Sequence, residues 1–168
     1  MKIIPLTQGL ETLVDDEDYD ELSKYSWYAV GHKGQEYAAR YGRKPIQTHI
    51  RMHRELLNAP AGLQVDHING NRLDNRKANL RLATQAENSR NRGKFSSTAL
   101  SQYKGVTYHK RDGVWQSSIK VDGKLIYIGS FSSEIQAAKA YNEAAKKYHG
   151  LYANLNRFKE ENNYGKNE

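Results

Sequence analysis

Residues 63–92, LQVDHINGNRLDNRKANLRLATQAENSRNR, concentrate the side chains of this sequence that can do chemistry. Asp66 offers a carboxylate and Asn88 an amide carbonyl. Both are hard oxygen donors, suited to Mg²⁺ or Mn²⁺ when phosphate oxygens and water fill the other positions. His67 is the one side chain there whose ordinary pKa lets it take a proton from water near neutral pH. A metal ion on a scissile phosphate with an imidazole base beside it is a recipe for phosphodiester hydrolysis. Composition goes no further, because each residue also has a plainer use. An Asp–His pair suits a surface or a turn, and Asn69, Asn71 and Asn75 are ordinary turn formers. Arg72, Arg76, Arg81, Arg90 and Arg92 equally make a solvated basic face.

The elements that would hold these residues can be read locally. Residues 63–68 alternate apolar and polar, which predicts a half-buried strand presenting Asp66 to one face. Residues 69–78 (NGNRLDNRKA) are too polar and turn-rich for a regular element and predict a structured loop. Residues 79–82 then form a second strand, and Thr84 with Glu87 matches a helix capping box.

Val65-Asp66-His67-Ile68-Asn69-Gly70-Asn71, Asp74-Asn75, Asn79-Leu80-Arg81 and Glu87-Asn88 together resemble the HNH nuclease motif in its homing-endonuclease form. The resemblance implies a ββα-metal finger with His67 as general base and Asp66 and Asn88 as metal ligands. Asn79 would pin the loop and orient His67. Asn at position 88, where the bare pattern has His, implies one Mg²⁺- or Mn²⁺-like ion and no zinc.

The chain has 168 residues, a formal net charge of +7 and no cysteine. Its length allows one domain or two small ones. The basic balance favours a polyanionic partner, although +7 also fits many proteins that touch no nucleic acid. The resemblance implies that the partner is double-stranded DNA, and no obligatory protein partner is evident. The absence of cysteine excludes disulfide stapling and Cys-based zinc sites. No apolar run reaches membrane length and MKIIPLTQGL lacks a signal-peptide core, so an intracellular location (cytoplasm or nucleoid) is expected.

Residues 1 to about 60 read as a mixed α/β region. Strands are expected at 2–6, 12–14, 27–30, 37–41 and 46–51, and helices at 15–24 and 52–57. Trp27, Tyr28 and Tyr37 are assigned to its core and His53 to a structural role. Residues 93–102 read as a linker, and Arg90 and Arg92 just before it, with Lys94 inside it, are candidate phosphate partners.

From Tyr103 the pattern becomes three short strands and a helix. Asp122-Gly123 predicts a two-residue hairpin turn. Trp115, Ile119, Ile126 and Ile128 would form a face covered by a helix over residues 133–149, whose apolar stripe is Ala138, Tyr141, Ala145 and Tyr148. The opposite face would carry Thr107, His109, Gln116, Ser118, Lys120 and Tyr127, with Lys104 and Arg111 at its margins. Its size and donors suit a major groove, and equally an ordinary solvated surface. Tyr103-Lys104-Gly105-Val106, Gly113-Val114-Trp115, Tyr127-Ile128-Gly129-Ser130-Phe131, Ala137-Ala138-Lys139-Ala140-Tyr141 and Tyr152-Ala153-Asn154-Leu155-Asn156 resemble the APETALA / ethylene-response-factor DNA-binding domain. That resemblance implies a sheet that reads DNA.

The expected protein is therefore α+β, with a nuclease domain at 1–92, a linker at 93–102, a DNA-binding domain at 103–156 and a disordered polar tail at 157–168. Its expected function is metal-dependent DNA cleavage or nicking, of the homing or phage-encoded kind. DNA contacts would come from the sheet residues above and from Arg72, Arg76, Arg81 and Arg90. The alternative is a non-catalytic DNA-binding regulator.

Overall fold

The computed structural model describes residues 1–42, 49–93 and 100–158. The fold is α+β, and the chain divides into two units, residues 1–92 and residues 93–168.

The first unit opens with a hairpin, β1 (Lys2–Pro5) and β2 (Glu11–Val14), followed by α1 (Asp16–Leu22). A three-stranded antiparallel sheet follows, β3 (Tyr28–Val30), β4 (Tyr37–Tyr41) and β5 (His49–Arg51), leading directly into α2 (Met52–Leu56). The expected strand at 46–51 is described only from His49, and residues 46–48 lie outside the described residues. Ile4, Leu6, Val14, Leu22, Trp27, Ala29, Ala38 and Met52 form the core. Each fully buried aliphatic or aromatic side chain of this kind contributes roughly 1.5–3 kcal/mol of transfer free energy. Trp27 meets the need of its indole N–H by donating to Leu22 O at 2.8 Å. Tyr28 is not core: it is half-buried, stacks on Tyr41 and bonds His49.

The reactive segment follows as β6 (Gln64–His67), a 3-10 turn (Lys77–Asn79), β7 (Leu80–Ala83) and α3 (Gln85–Asn91). β6 and β7 are antiparallel, with Asp66 opposite Arg81 and His67 opposite Leu80. Both halves of the Thr84/Glu87 capping box are made. The expectation of a half-buried β6 is corrected: Val65, Asp66 and His67 are all buried, so both faces of this strand are covered.

In the second unit β8 (Val106–His109), β9 (Val114–Val121) and β10 (Lys124–Phe131) form an antiparallel sheet packed on α4 (Glu134–His149). Asp122 and Gly123 both have positive φ (48° and 83°), the backbone a tight type I′ turn requires. Gly105 lies so close to α4 that a Cβ there would be 2.0 Å from the Tyr141 ring. A bulge at Ile128 shifts the register, so that Tyr127 faces Ser118 while Gly129 already faces Ser117. That shift resets the in–out alternation and lets Phe131, like Ile126 and Ile128, pack on the helix side.

Three expectations for this unit need correction. Tyr148 is 39% exposed, and His149 takes the last buried position of α4, its Nε2 2.9 Å from Lys120 O. The end of the expected linker is packed into the fold: Ser101 is buried and its hydroxyl donates to Glu134 Oε1 at 2.7 Å. At the other end Phe158 packs against Tyr103, so residues 157 and 158 belong to the fold and not to a tail. The remaining linker residues 94–99, with Lys94, and the tail residues 159–168 lie outside the described residues.

Candidate functional site

Short β6 strands need fixed ends, and α2 supplies one of them. Arg40 on β4 forks onto the Glu55 carboxylate (3.0 and 2.7 Å), which fastens α2 to the sheet. Arg54 donates to the carbonyls of Ala59, Pro60 and Leu63, closing the turn that feeds β6. The loop after β6 is sewn by asparagines. Asn69 and Asn71 accept backbone N–H groups two residues on, as turn-forming amides do. Asn79 accepts from Asn69 N at 3.0 Å and donates to Asp74 O at 2.8 Å, joining the two ends of that loop.

Asp66 and His67, consecutive on β6, are both buried within this frame. Asp66 accepts from Arg81 Nε at 2.8 Å and from Asn91 Nδ2 at 2.9 Å, and Asn91 also donates to His67 O. Gln64 and Asp66 share one strand face, two residues apart. Along α3 Asn88 donates to the Gln64 side chain while Asn91, one turn later, reaches Asp66. Asn91 was not singled out from the sequence, although its i+3 spacing from Asn88 places the two on one helix face.

The His67 ring is enclosed by aromatic neighbours. His53 stands edge-on to it (ring centroids 5.1 Å, 85°), and Tyr37 lies against both rings at 5.0 and 6.1 Å. Tyr37 is therefore a site neighbour and only partly buried. The guanidinium groups of Arg51 and Arg72 stack on that same tyrosine at 5.0 and 4.7 Å. His67 Nε2 is 3.3 Å from Asn75 Oδ1. Asn75 is thus more than a turn former: it is 1% exposed and contacts the imidazole.

Burial holds His67 below its usual pKa, partly opposed by Asn75 and Asp66. Burial, with the neighbouring His67 and the arginines at 51, 54 and 72, holds His53 down to about 3. Its Nδ1 has no hydrogen-bond partner among the described residues. Between about pH 6.5 and 3 the unfolded chain therefore binds a proton at His53 that the folded chain does not. Stability from this group is complete above pH 6.5 and falls as the pH drops through that window. Thermal melts at pH 7 and pH 5, a range above most carboxylate titrations, should show a lower Tm at pH 5. His53→Phe should shrink that difference and leave the part that His67, also held below its usual pKa, contributes in the same direction. An equally steep fall in the variant would assign the effect elsewhere.

The arginines expected to meet DNA differ in their surroundings. Arg72 donates to Gln35 O besides stacking on Tyr37, and Arg76 forks onto the buried Asp74 carboxylate at 2.7 Å through each nitrogen. Arg81 is bound to Asp66, and Arg90 lies in the last turn of α3. In the second unit Thr107, Lys120 and Tyr127 are exposed, and His109, Gln116 and Ser118 are half-buried. The strand pairings set Thr107, Gln116 and Ser130 in one row and Ser118 beside Tyr127 in the next. Ser130 joins this face because of the bulge, so simple alternation misses it. His109 Nδ1 and Arg111 Nε are 3.1 and 2.8 Å from Asp112. Lys104 is half-buried, and desolvation draws its pKa down to about 8.

An Asp–His pair is thus buried at a hairpin–helix junction, and a separate sheet-and-helix unit follows it. Known proteins resemble both parts. Residues 58–90 match the HNH endonuclease family model, and residues 101–151 match the AP2 domain. An uncharacterized HNH endonuclease of Acanthamoeba polyphaga mimivirus is 31% identical over 152 residues, covering 89% of this chain and 76% of the viral one. The chain belongs to the HNH endonuclease family. Its second unit is similar to an AP2-like ethylene-responsive transcription factor of Arabidopsis thaliana, 48% identical over 56 residues. It is equally similar to an APETALA2-like protein of rice, 48% identical over 56 residues. Each match covers 33% of this chain, and 12% and 13% of the plant proteins respectively. No helix among the described residues is long and apolar enough to cross a membrane.

Proposed function

We propose that the protein is a divalent-metal-dependent DNA endonuclease of the homing or viral type, in which residues 1–92 cut and residues 103–156 hold the substrate. The observation that carries this reading is the adjacent, buried Asp66 and His67, with His67 packed against His53 and bonded to Asn75.

The donor set fits a hard cation. Asp66 and Asn88 offer oxygens from β6 and α3, and no group of three His, Asp or Glu among the described residues could encase an ion. The other positions would belong to phosphate oxygens and water, as suits Mg²⁺ or Mn²⁺. Such an ion, when bound, polarises the phosphate and eases departure of the leaving oxygen. His67 takes the proton of the attacking water, and its depressed pKa keeps it unprotonated for that purpose. Asn79 keeps the loop closed around the imidazole. Arg72 and Arg90 meet phosphates, whereas Arg76 and Arg81 act beside Asp74 and Asp66. On the sheet, Thr107, His109, Gln116, Ser118, Lys120 and Tyr127 address base edges, flanked by Lys104 and Arg111.

The test is incubation of the full chain with supercoiled plasmid. Relaxed or linear product is expected with Mg²⁺ or Mn²⁺ and none in EDTA. Retardation without cleavage in any metal would make the protein a DNA-binding regulator, and undiminished cleavage in EDTA would remove the metal from the mechanism.

A further inference from the structure

Thr12 belongs to β2, far from the reactive segment in sequence, yet it is fully buried beside it. Its hydroxyl oxygen is 2.8 Å from Leu73 O and 2.7 Å from Asn75 Nδ2. A carbonyl oxygen can only accept, so the single hydroxyl proton is directed at Leu73. Met52 Sδ, at 4.0 Å, is a weak competitor for that proton. Thr12 therefore turns lone pairs toward Asn75 and selects its NH₂ group. The flipped amide would press Oδ1 against an oxygen whose proton is already engaged.

The consequence passes to the catalytic ring. With its NH₂ on Thr12, Asn75 presents Oδ1 to His67 Nε2 at 3.3 Å. An acceptor at that nitrogen favours the tautomer protonated on Nε2 and leaves Nδ1 with an open lone pair. Water cannot easily take over either role, because Thr12, Asn75 and His67 are 0%, 1% and 5% exposed. The backbone fixes the spacing: Leu13 N donates to Leu73 O and Asn75 N donates to Leu13 O, each at 2.8 Å.

We infer that Thr12 and Asn75 are positioning residues that set the tautomer of His67, so that Nδ1 is the nitrogen that takes the proton from water. This rests on the reading of His67 as the base. The experiment uses full-length protein labelled with ¹⁵N-histidine, with two-bond ¹H–¹⁵N correlations recorded at pH 8. The His67 signals are assigned by their loss in His67→Ala.

The wild-type ring should show the Nε2–H pattern. Thr12→Val, which removes the hydroxyl at nearly constant shape, should bring in the Nδ1–H form and lower kcat about 10–100-fold with little change in KM. Thr12→Ser should restore both. An Nδ1–H pattern in the wild type overturns the inference without any variant, so poor folding of Thr12→Val does not shelter it. A Thr12→Val spectrum identical to wild type also overturns it. Failure of the underlying reading looks different: His67→Ala would then cleave normally whatever tautomer the ring adopts.

Discussion

Replacing His67 by alanine should lower strand cleavage by about two to four orders of magnitude, the usual worth of a general base. DNA affinity should hardly change. The side chain is 5% exposed and enclosed by His53, Tyr37 and Asn75, so it offers little surface to a ligand beyond the reacting centre. Single-turnover cleavage and equilibrium binding, measured on the same DNA, separate the two effects. Near wild-type cleavage would take His67 out of the chemistry, and a parallel loss of affinity would make it a binding residue.

Asp66→Ala should be the most damaging single change to the site, through two separable effects. Cleavage should disappear, because the variant lacks the carboxylate proposed to hold the ion. Stability should also fall, since Arg81 and Asn91 both lose the carboxylate they bind. Removing one partner of a buried pair costs roughly 3–5 kcal/mol, and the lower end applies here because Arg81 retains some access to solvent. Urea unfolding of the full chain measures the second effect. Adding Arg81→Met should recover part of the stability and none of the activity. A double variant no more stable than Asp66→Ala would mean that the loss arises from something other than the stranded arginine.

Local signals made much of this arrangement legible. The capping box at Thr84 and Glu87 gave the start of α3, and Asp122-Gly123 gave the β9–β10 turn, because each depends on a few neighbouring residues. The inward row Trp115, Ile119, Ile126 and Ile128 followed from strict alternation. Alternation also explains where the reading stopped. One extra residue at the bulge moves Ser130 to the outer face and Phe131 inward, and periodicity carries no sign of it. The expected end of α4 at His149 is observed, and only the last buried position differs: Tyr148 and His149 both extend the apolar stripe, and the Lys120 carbonyl decides between them.

Around the candidate site, residue types were informative and partners were not. Asp66 and His67 stood out by chemistry, whereas Asn75 and Asn91 looked like any other polar residue of a loop and a helix end. Thr12 carried no signal, because its role depends on a contact between residues 63 positions apart. His53 was assigned a structural role, and only the folded chain brings its ring against His67.

The pairing of β2 with residues 73–75 bears on how such a nuclease can be exchanged between proteins. The family match begins at residue 58, but the loop inside it uses Leu13 as a backbone partner, and Lys77 is tied to Asp15, Glu17 and Asp18. A graft of the matched segment would leave those groups facing water or a foreign surface. The transplantable cassette is therefore residues 1–92, and a recombination breakpoint between β2 and β6 would have to bring in a hairpin able to dock against the same loop.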